Sequence, residues 1–271
     1  MHFQGKTIII TGASDGIGKA LALGLAKEQP RLVLAARRMS ELQAVADACI
    51  ALGAKAIAVP CDVAIKDDCH RLIAAAQAQF GGIDVLVNNA GVSMHGWFED
   101  ISDTKVYDNL FQVNVMGAIN CTHAALPALK ASRGLIVGVS SLAGKIGVPA
   151  RTTYCMTKFA MNGFFEALRI ELVDDGVAVC MVQPGVVATE IRRNGWNANG
   201  ERAGSAGLSE EKAMTLDECT GLILGAMHAR QRELVMSGQG KLGVWLKPFF
   251  PAAIDNMARR ALSKVGQRKT A

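Results

Sequence analysis

The sequence predicts an α/β fold: a doubly wound, mainly parallel sheet of six or seven strands, Rossmann-type, with helices on both faces. Three observations carry the prediction. Short apolar runs of β-formers alternate along the chain with longer stretches of helical spacing. Some of those runs are apolar almost throughout, as strands covered on both faces require. A glycine-rich turn joins the first run to the first helix, a setting that suits a phosphate. The 271 residues are enough for a substantial core, and no internal repeat is visible.

The elements follow in order. Thr7–Thr11 reads as a buried strand. The turn Thr11-Gly12-Ala13-Ser14-Asp15-Gly16-Ile17-Gly18 leads into a helix. Gly12 suits the tight turn, Gly16 a close approach of backbone to a pyrophosphate, and Gly18 close helix packing. The helix N-terminus adds free N–H groups and a positive dipole end. The second strand, 31–36, ends in Ala36-Arg37-Arg38. An acid there would bind a ribose 2′-OH, whereas arginine suits a 2′-phosphate, so NADP(H) is favoured over NAD(H). Asp15 inside the loop works slightly against that preference. Residues 40–53 read as a helix with Ser40 as N-cap and Gly53 as its stop. The third strand, 55–60, delivers Asp62 and Val63; Asp62 suits either an adenine amino group or the cap of the next helix, 66–80. Strand four, 83–87, runs into Asn88-Asn89-Ala90-Gly91.

Residues 104–131 read as one long helix with Asn114 in its middle and a kink at Pro127. Strand five, 134–139, delivers Ser140-Ser141 at its C-terminal end, the edge where open α/β sheets bind ligands. Tyr154 and Lys158 follow at i and i+4 on one helical face, in a helix reaching about residue 174. An ammonium beside a phenol lowers the phenol pKa and suits it to proton transfer. Strand six, 177–182, precedes Pro184-Gly185-Val186-Val187-Ala188-Thr189. Residues 190–212 are polar and Gly-rich and read as a lid carrying Trp196. A helix at 215–230 and a short strand at 233–236 complete a single domain over 1–240. Residues 241–271 form an apolar segment, then a basic amphipathic helix in which Ile254, Met257, Leu262 and Val265 recur opposite Arg259, Arg260 and Lys264.

Composition narrows the function. Half the residues are apolar and a fifth charged, as in ordinary globular proteins. Seven scattered cysteines without a CxxC pair read as free thiols in a reducing, cytoplasmic setting, with no metal site. Met1–Ile10 enters a strand directly, and no run approaches a membrane span. Residues 1–240 carry 22 Lys/Arg against 23 Asp/Glu, and the last 31 carry seven Lys/Arg against one Asp. The near-neutral body argues against a nucleic-acid partner. The basic tail is expected to pack on the pocket or a partner subunit, or to make peripheral membrane contact.

Taken together, TGASDGIG (11–18), Asp62-Val63, NNAG (88–91), Asn114, Ser141, YxxxK (154–158) and PG with Thr189 (184–189) resemble the short-chain dehydrogenases/reductases over about residues 5–240. The stretch SSLAGKIGVP with TYCMTKFAMNGFF resembles the branch that holds 11β-hydroxysteroid dehydrogenases. The resemblance implies hydride transfer between nicotinamide and a ketone or secondary alcohol; the Ala36-Arg37-Arg38 signature with an apolar, Trp-bearing pocket leads to the expectation of a bulky apolar substrate (steroid-like, lipid or aromatic). The resemblance also implies Tyr154 as proton donor and acceptor, Lys158 lowering its pKa and holding the ribose, Ser141 polarising the carbonyl, and Asn114 holding a relay water. By the spacing of 13 to Tyr154, Ser141 rather than Ser140 is the active hydroxyl. The implied cofactor contacts are Gly12, Ser14, Asp15, Gly16, Ile17, Gly18, Arg37, Arg38, Asp62, Val63, Asn88, Ala90, Gly91, Tyr154, Lys158, Pro184, Gly185, Val187 and Thr189. Val92–Trp97, Gly147, Val148 and Trp196 are expected to shape the substrate pocket. A homodimer or homotetramer built on helices 104–131 and 153–174 is the family habit. The alternatives are an NAD-dependent alcohol dehydrogenase and, from a different class, a cofactor-binding sensor or scaffold without chemistry.

Overall fold

The structure, a computed structural model, describes residues 1–204 and 213–263. Seven strands form one sheet: β1 (Thr7–Thr11), β2 (Arg31–Ala36), β3 (Lys55–Pro60), β4 (Val85–Asn88), β5 (Leu135–Val139), β6 (Ala178–Gln183) and β7 (Glu233–Val235). Their order is β3-β2-β1-β4-β5-β6-β7, and every pair is parallel. The helices are α1 (Gly16–Ala26), α2 (Met39–Ala51), α3 (Lys66–Phe80), α4 (Lys105–Phe111), α5 (Gly117–Ser132), α6 (Thr152–Glu171), α7 (Leu216–His228), α8 (Gly238–Leu246) and α9 (Pro251–Ser263).

Side chains alternate across each strand, so the apolar runs feed two cores. Ile8, Ile10, Leu32 and Leu34 pack with Leu21, Leu25 and Ile223 on the α1/α2/α7 face. Ile9, Val33, Leu86 and Ile136 pack with Leu72, Cys121 and Phe165 on the α3/α5/α6 face. The chain winds outward from β1 to β3 and then returns to place β4 beside β1. That reversal opens a crevice at the strand C-termini, where open α/β sheets take ligands. All seven cysteines are buried free thiols.

Four local expectations change. Helix α2 starts at Met39 with Arg38 at the N-cap and no side-chain cap, because Ser40 bonds Glu41 instead. The helix expected over 104–131 is interrupted by a π segment, Gln112–Met116, which separates α4 from α5. The apolar stretch before Pro251 contains helix α8, with Ser237 accepting from Gly240 N–H at its start. Residues 190–204 of the expected lid are pinned to the body: Trp196 N–H donates to Ser93 O at 2.9 Å and His95 N–H to Trp196 O at 2.8 Å. Residues 205–212 of that lid, and Lys264 and Val265 of the tail helix, lie outside the described residues.

Candidate active site

One continuous cleft of about 1570 Å³ runs along the strand C-termini. Small-molecule sites are commonly ~300–1,000 Å³, so there is room for two ligands. At one end sits the glycine turn. Gly12 adopts φ +66°, and a Cβ there would stand 2.8 Å from Ala90 Cα. At Gly18 a Cβ would meet Gly12 O at 2.3 Å, so α1 lies against the turn only because that position is glycine. The sequence after β4 holds the turn in place. Thr11 Oγ1 accepts from Asn89 and Ala90 N–H, and Asn89 Nδ2 donates to Thr11 O and Gly12 O. Backbone is thereby brought to a width that a dinucleotide phosphate can use, which is how the site fits such a cofactor.

Arg37 and Arg38 stand at the outer wall of this end, together with Ser14, Asp15, Asp62 and Val63. Their side chains are more than half exposed, and each faces acids: Arg37 to Asp62 at 3.8 Å, Arg38 to Asp15 at 3.7 Å and to Glu41 at 3.3 Å. Exposed pairs of this kind contribute little and yield readily to a phosphate. Asp15 also caps α1 by accepting from Gly16 N–H at 2.7 Å. Asp62 does not cap the next helix: α3 has Ile65 at its N-cap and no side-chain cap, while the Asp62 carboxylate accepts from Ala64 N–H at 3.1 Å and the residue borders the cleft.

Farther along the cleft, β5 ends at Ser140 and Ser141. Ser140 is buried and donates to Lys158 O at 3.2 Å, joining β5 to α6. Ser141 accepts from Ala143 N–H at 3.1 Å, donates to Pro184 O at 3.5 Å, and stands close enough to Tyr154 to lower the phenol pKa. The neighbour of the phenol is therefore Ser141. Lys158 is buried; its Nζ donates to Val139 O at 3.0 Å and lies 3.5 Å from Met161 Sδ. Burial pulls its pKa down to about 8. Its Nζ is 5.8 Å from the Tyr154 ring centroid. Here the expectation that Lys158 lowers the Tyr154 pKa needs correction. Burial pushes the phenol up, and what pulls it back are the Ser141 hydroxyl and the charges of Arg151 and Arg192. An i,i+4 spacing shares a helix face, but the carbonyl at the end of β5 takes the ammonium first.

Asn114 sits in the π segment, fully buried. Its Oδ1 accepts from Val92 N–H at 2.8 Å, and its Nδ2 donates to Val92 O and Thr157 Oγ1 at 3.0 Å each. The side chain thus clamps the loop after β4 to α6 and does not itself border the cleft, where Gly91 and Val92 stand instead. A Cβ on Gly91 would be 3.2 Å from Asn114 Oδ1 and 3.6 Å from Lys158 Nζ.

The remaining expected residues divide. Ala90, Gly91, Pro184, Gly185, Val187 and Thr189 border the cleft, as do Gly16, Ile17, Val92, Gly147 and Val148. Gly18 lies beneath the turn and does not. Asn88 is corrected: its side chain points the other way and donates to Thr122 Oγ1 at 2.9 Å, while Asn89 borders the cleft. Trp196 stands behind the wall, packed with Met94, Leu110 and Tyr154, and does not line the cleft. Sequence reading missed Arg151 and Arg192, which are buried on the wall; the tail packs on the pocket, one of the placements expected for it, where Ile254, Met257, Ala258 and Leu262 close one side. The apolar stripe of the tail helix is the signal for that placement. No local pattern marks the two arginines.

The fold and the site together define a nucleotide-binding α/β protein with a serine, a tyrosine and a lysine at the mouth of the crevice. Residues 6–200 match the family profile described as short chain dehydrogenase, and the chain belongs to that family. It is 43% identical over 185 residues to the 11-beta-hydroxysteroid dehydrogenase-like 4A of Arabidopsis thaliana, covering 68% of this chain and 62% of that protein's length. It is 30% identical over 267 residues to the dehydrogenase/reductase SDR family protein 7-like of Dictyostelium discoideum, covering 96% of this chain and 83% of that one. Among solved structures it is similar to a Burkholderia phymatum short chain dehydrogenase/reductase in complex with NAD, with TM-score 0.82 and 26% identity over 93% of this chain and 96% of that one. An alcohol dehydrogenase from Thermococcus sibiricus complexed with 5-hydroxy-NADP gives TM-score 0.74 and 26% identity, covering 84% and 94%.

Proposed function

We propose that the protein is a nicotinamide-dependent oxidoreductase that interconverts a ketone and a secondary alcohol, and that it uses NADP(H). The observation that carries this reading is the convergence of Ser141, Tyr154 and Lys158 on the cleft that also holds the glycine turn. Nicotinamide, when bound, supplies or takes up the hydride. The protein does the rest. Tyr154 holds the proton that the alcohol oxygen gains or loses. Ser141, beside that phenol, orients the carbonyl oxygen. Lys158 binds the nicotinamide ribose, and Asn114 fixes the loop between them. Arg37 and Arg38 hold the 2′-phosphate.

The test is a panel of bulky ketones with NADPH and NADH side by side. NADPH is oxidised, with kcat/KM at least about 10-fold above NADH. The Arg37→Ala variant loses about 10-fold of that preference, the size expected when one charge-assisted phosphate contact is removed. Oxidation of neither nucleotide across the panel sinks the proposal. The NAD complex of the Burkholderia relative and Asp15 in the turn favour the second reading, an NAD-dependent alcohol dehydrogenase; a higher kcat/KM with NADH would establish it.

Substrate delivery from a bilayer is part of the same proposal. Leu242, Trp245, Phe249 and Phe250 stand exposed on the outer side of α8 and the turn after it, and Trp245 and Phe249 have ring centroids 5.9 Å apart. Lys247 anchors this unit, donating to Lys145 O at 2.7 Å with its Nζ 5.0 Å over the Phe159 ring. Aromatics beside a basic tail suit an anionic lipid surface. The protein co-sediments with phosphatidylserine vesicles, and Trp245→Ser with Phe249→Ser lowers the bound fraction about 10-fold. Equal binding of wild type and double variant rules the contact out.

A further inference from the structure

We infer that Cys61 and Cys69 are a peroxide-oxidisable pair whose disulfide loosens the adenosine end of the cofactor cleft. The thiols take no part in the proposed reaction; their effect on the nucleotide rests on the nicotinamide reading above.

Cys61 is the first residue after β3 and, among the described residues, the cysteine that borders the cleft. Its backbone N–H donates to Ala36 O at 3.0 Å, which ties it to the end of β2 beside Arg37. Cys69, near the start of α3, donates from Sγ to Val63 O at 3.4 Å. Cys121 comes from α5, which packs against α3. All three thiols share one core with Val63, and Cys69 stands close enough to both others for each to act on it. Between Cys61 and Cys69 lie Asp62 and Val63, both on the cleft wall. This short turn has few ties. Asp62 N–H donates to an Asp68 carboxylate oxygen at 2.9 Å, and Ala64 N–H to the Asp62 carboxylate at 3.1 Å. Val63 also rests on α5, since a Cβ at Gly117 would stand 2.7 Å from Val63 Cγ2.

A small peroxide in the cleft meets Cys61 first, because Cys69 and Cys121 are fully buried. The thiolate is the attacking form, and burial alone works against it. Cys69 is held below the usual thiol value, first by Cys121 and then by Cys61, so it can take the Cys61 proton as that sulfur attacks. Attack breaks the O–O bond and leaves Cys61 as a sulfenic acid. The departing alkoxide takes a proton from solvent and leaves as an alcohol (water, for hydrogen peroxide). Cys69 sulfur then displaces the sulfenic hydroxyl, which leaves as water with the Cys69 proton. One S–S bond has formed, the two sulfurs have lost two electrons, and the peroxide has gained them. The new bond draws the ends of the turn together and takes the Cys69 thiol from Val63 O. Asp62, Val63 and, through Ala36, Arg37 then leave the positions that suit a bound adenosine. A nucleotide already in place covers Cys61 and protects it.

The experiment treats the reduced full chain with hydrogen peroxide, with and without NADPH, maps the peptides, and follows nucleotide binding by fluorescence. A Cys61–Cys69 disulfide forms, NADPH affinity falls about 10-fold, the size of a lost charge-assisted contact, and dithiothreitol restores it. NADPH at about ten times its Kd slows closure about 10-fold, since only the free fraction reacts. Cys69→Ser forms no such bond and keeps its affinity through the treatment. The wild-type map decides by itself if that variant does not fold: absence of the Cys61–Cys69 bond overturns the inference. A bond that leaves NADPH affinity unchanged overturns it too, as does an equal loss of affinity in Cys69→Ser. Reduced protein that binds neither NADPH nor NADH defeats the nicotinamide reading and, with it, the claimed effect. Nucleotide binding without the disulfide defeats the thiol pair and leaves that reading standing.

Discussion

Replacing Tyr154 with Phe abolishes turnover and leaves the fold and nucleotide binding intact. The substitution removes one oxygen from a ring that packs with Met94, Val106, Leu110 and Trp196, and Phe keeps all of those contacts. The folded state loses the phenol's interaction with Ser141, at most about 1 kcal/mol. In the role proposed for it Tyr154 is the proton donor, and losing general acid–base catalysis costs about 10²–10⁴-fold. Steady-state kinetics should therefore show kcat at least about 100-fold down, while a fluorescence titration with NADPH changes little. Turnover within a few-fold of wild type would remove Tyr154 from the chemistry. The pH dependence adds a directional check. Burial raises the phenol pKa, so the protonated form persists above neutral pH. Ketone reduction, which needs the proton, is then flat across neutral pH, and alcohol oxidation, which needs the phenolate, climbs toward alkaline pH. The opposite slopes would mean a different group carries the proton.

What the sequence revealed and what it concealed divide along the range of the interactions. The glycine turn was legible because its constraint is local: Gly12 needs a positive φ, and Gly18 must clear an oxygen six residues away. Ser141, Tyr154 and Lys158 were legible as residue types at set spacings, and the sheet order brought the strand ends carrying them to one crevice. Facing was harder. Asn88 is the last residue of β4, and which of Asn88 and Asn89 turns toward the cleft depends on where the strand stops. Asn114 sits in a π segment because its side chain bonds Val92 and Thr157, contacts 22 and 43 residues away, so helical periodicity could not show the break. Arg151 and Arg192 lie 41 positions apart in polar stretches, and only the return of the segment after β6 over Ser93 brings both to one wall. The lysine ammonium illustrates the same limit. Its i,i+4 spacing to Tyr154 is a fact of the helix, but its partner, Val139 O, comes from β5.

That partner choice leads to the second large effect. Lys158→Met destroys activity and makes the folded protein more stable at pH 7. The folded pKa of about 8 lies below the ordinary lysine value near 10.4, so between those pH values the unfolded chain holds more protons than the native one. Stability accordingly rises with pH across that window and levels off above it. At pH 7 the buried charge weakens the fold by roughly 3 kcal/mol on this linkage. Methionine has similar bulk and no charge, and its cost is the lost hydrogen bond to Val139 O, about 1 kcal/mol. The net gain is about 1–2 kcal/mol, a rise in Tm of several degrees for a domain of this size. Chemical denaturation from pH 7 to 10.5 should show wild type gaining stability relative to the variant, with the two curves converging and then crossing slightly. A variant less stable than wild type at pH 7 would mean the lysine is well solvated or paired there, and the same data would move its pKa back toward 10. The ammonium is thus a group the fold tolerates at a cost, as expected of one placed for a bound cofactor instead of for packing.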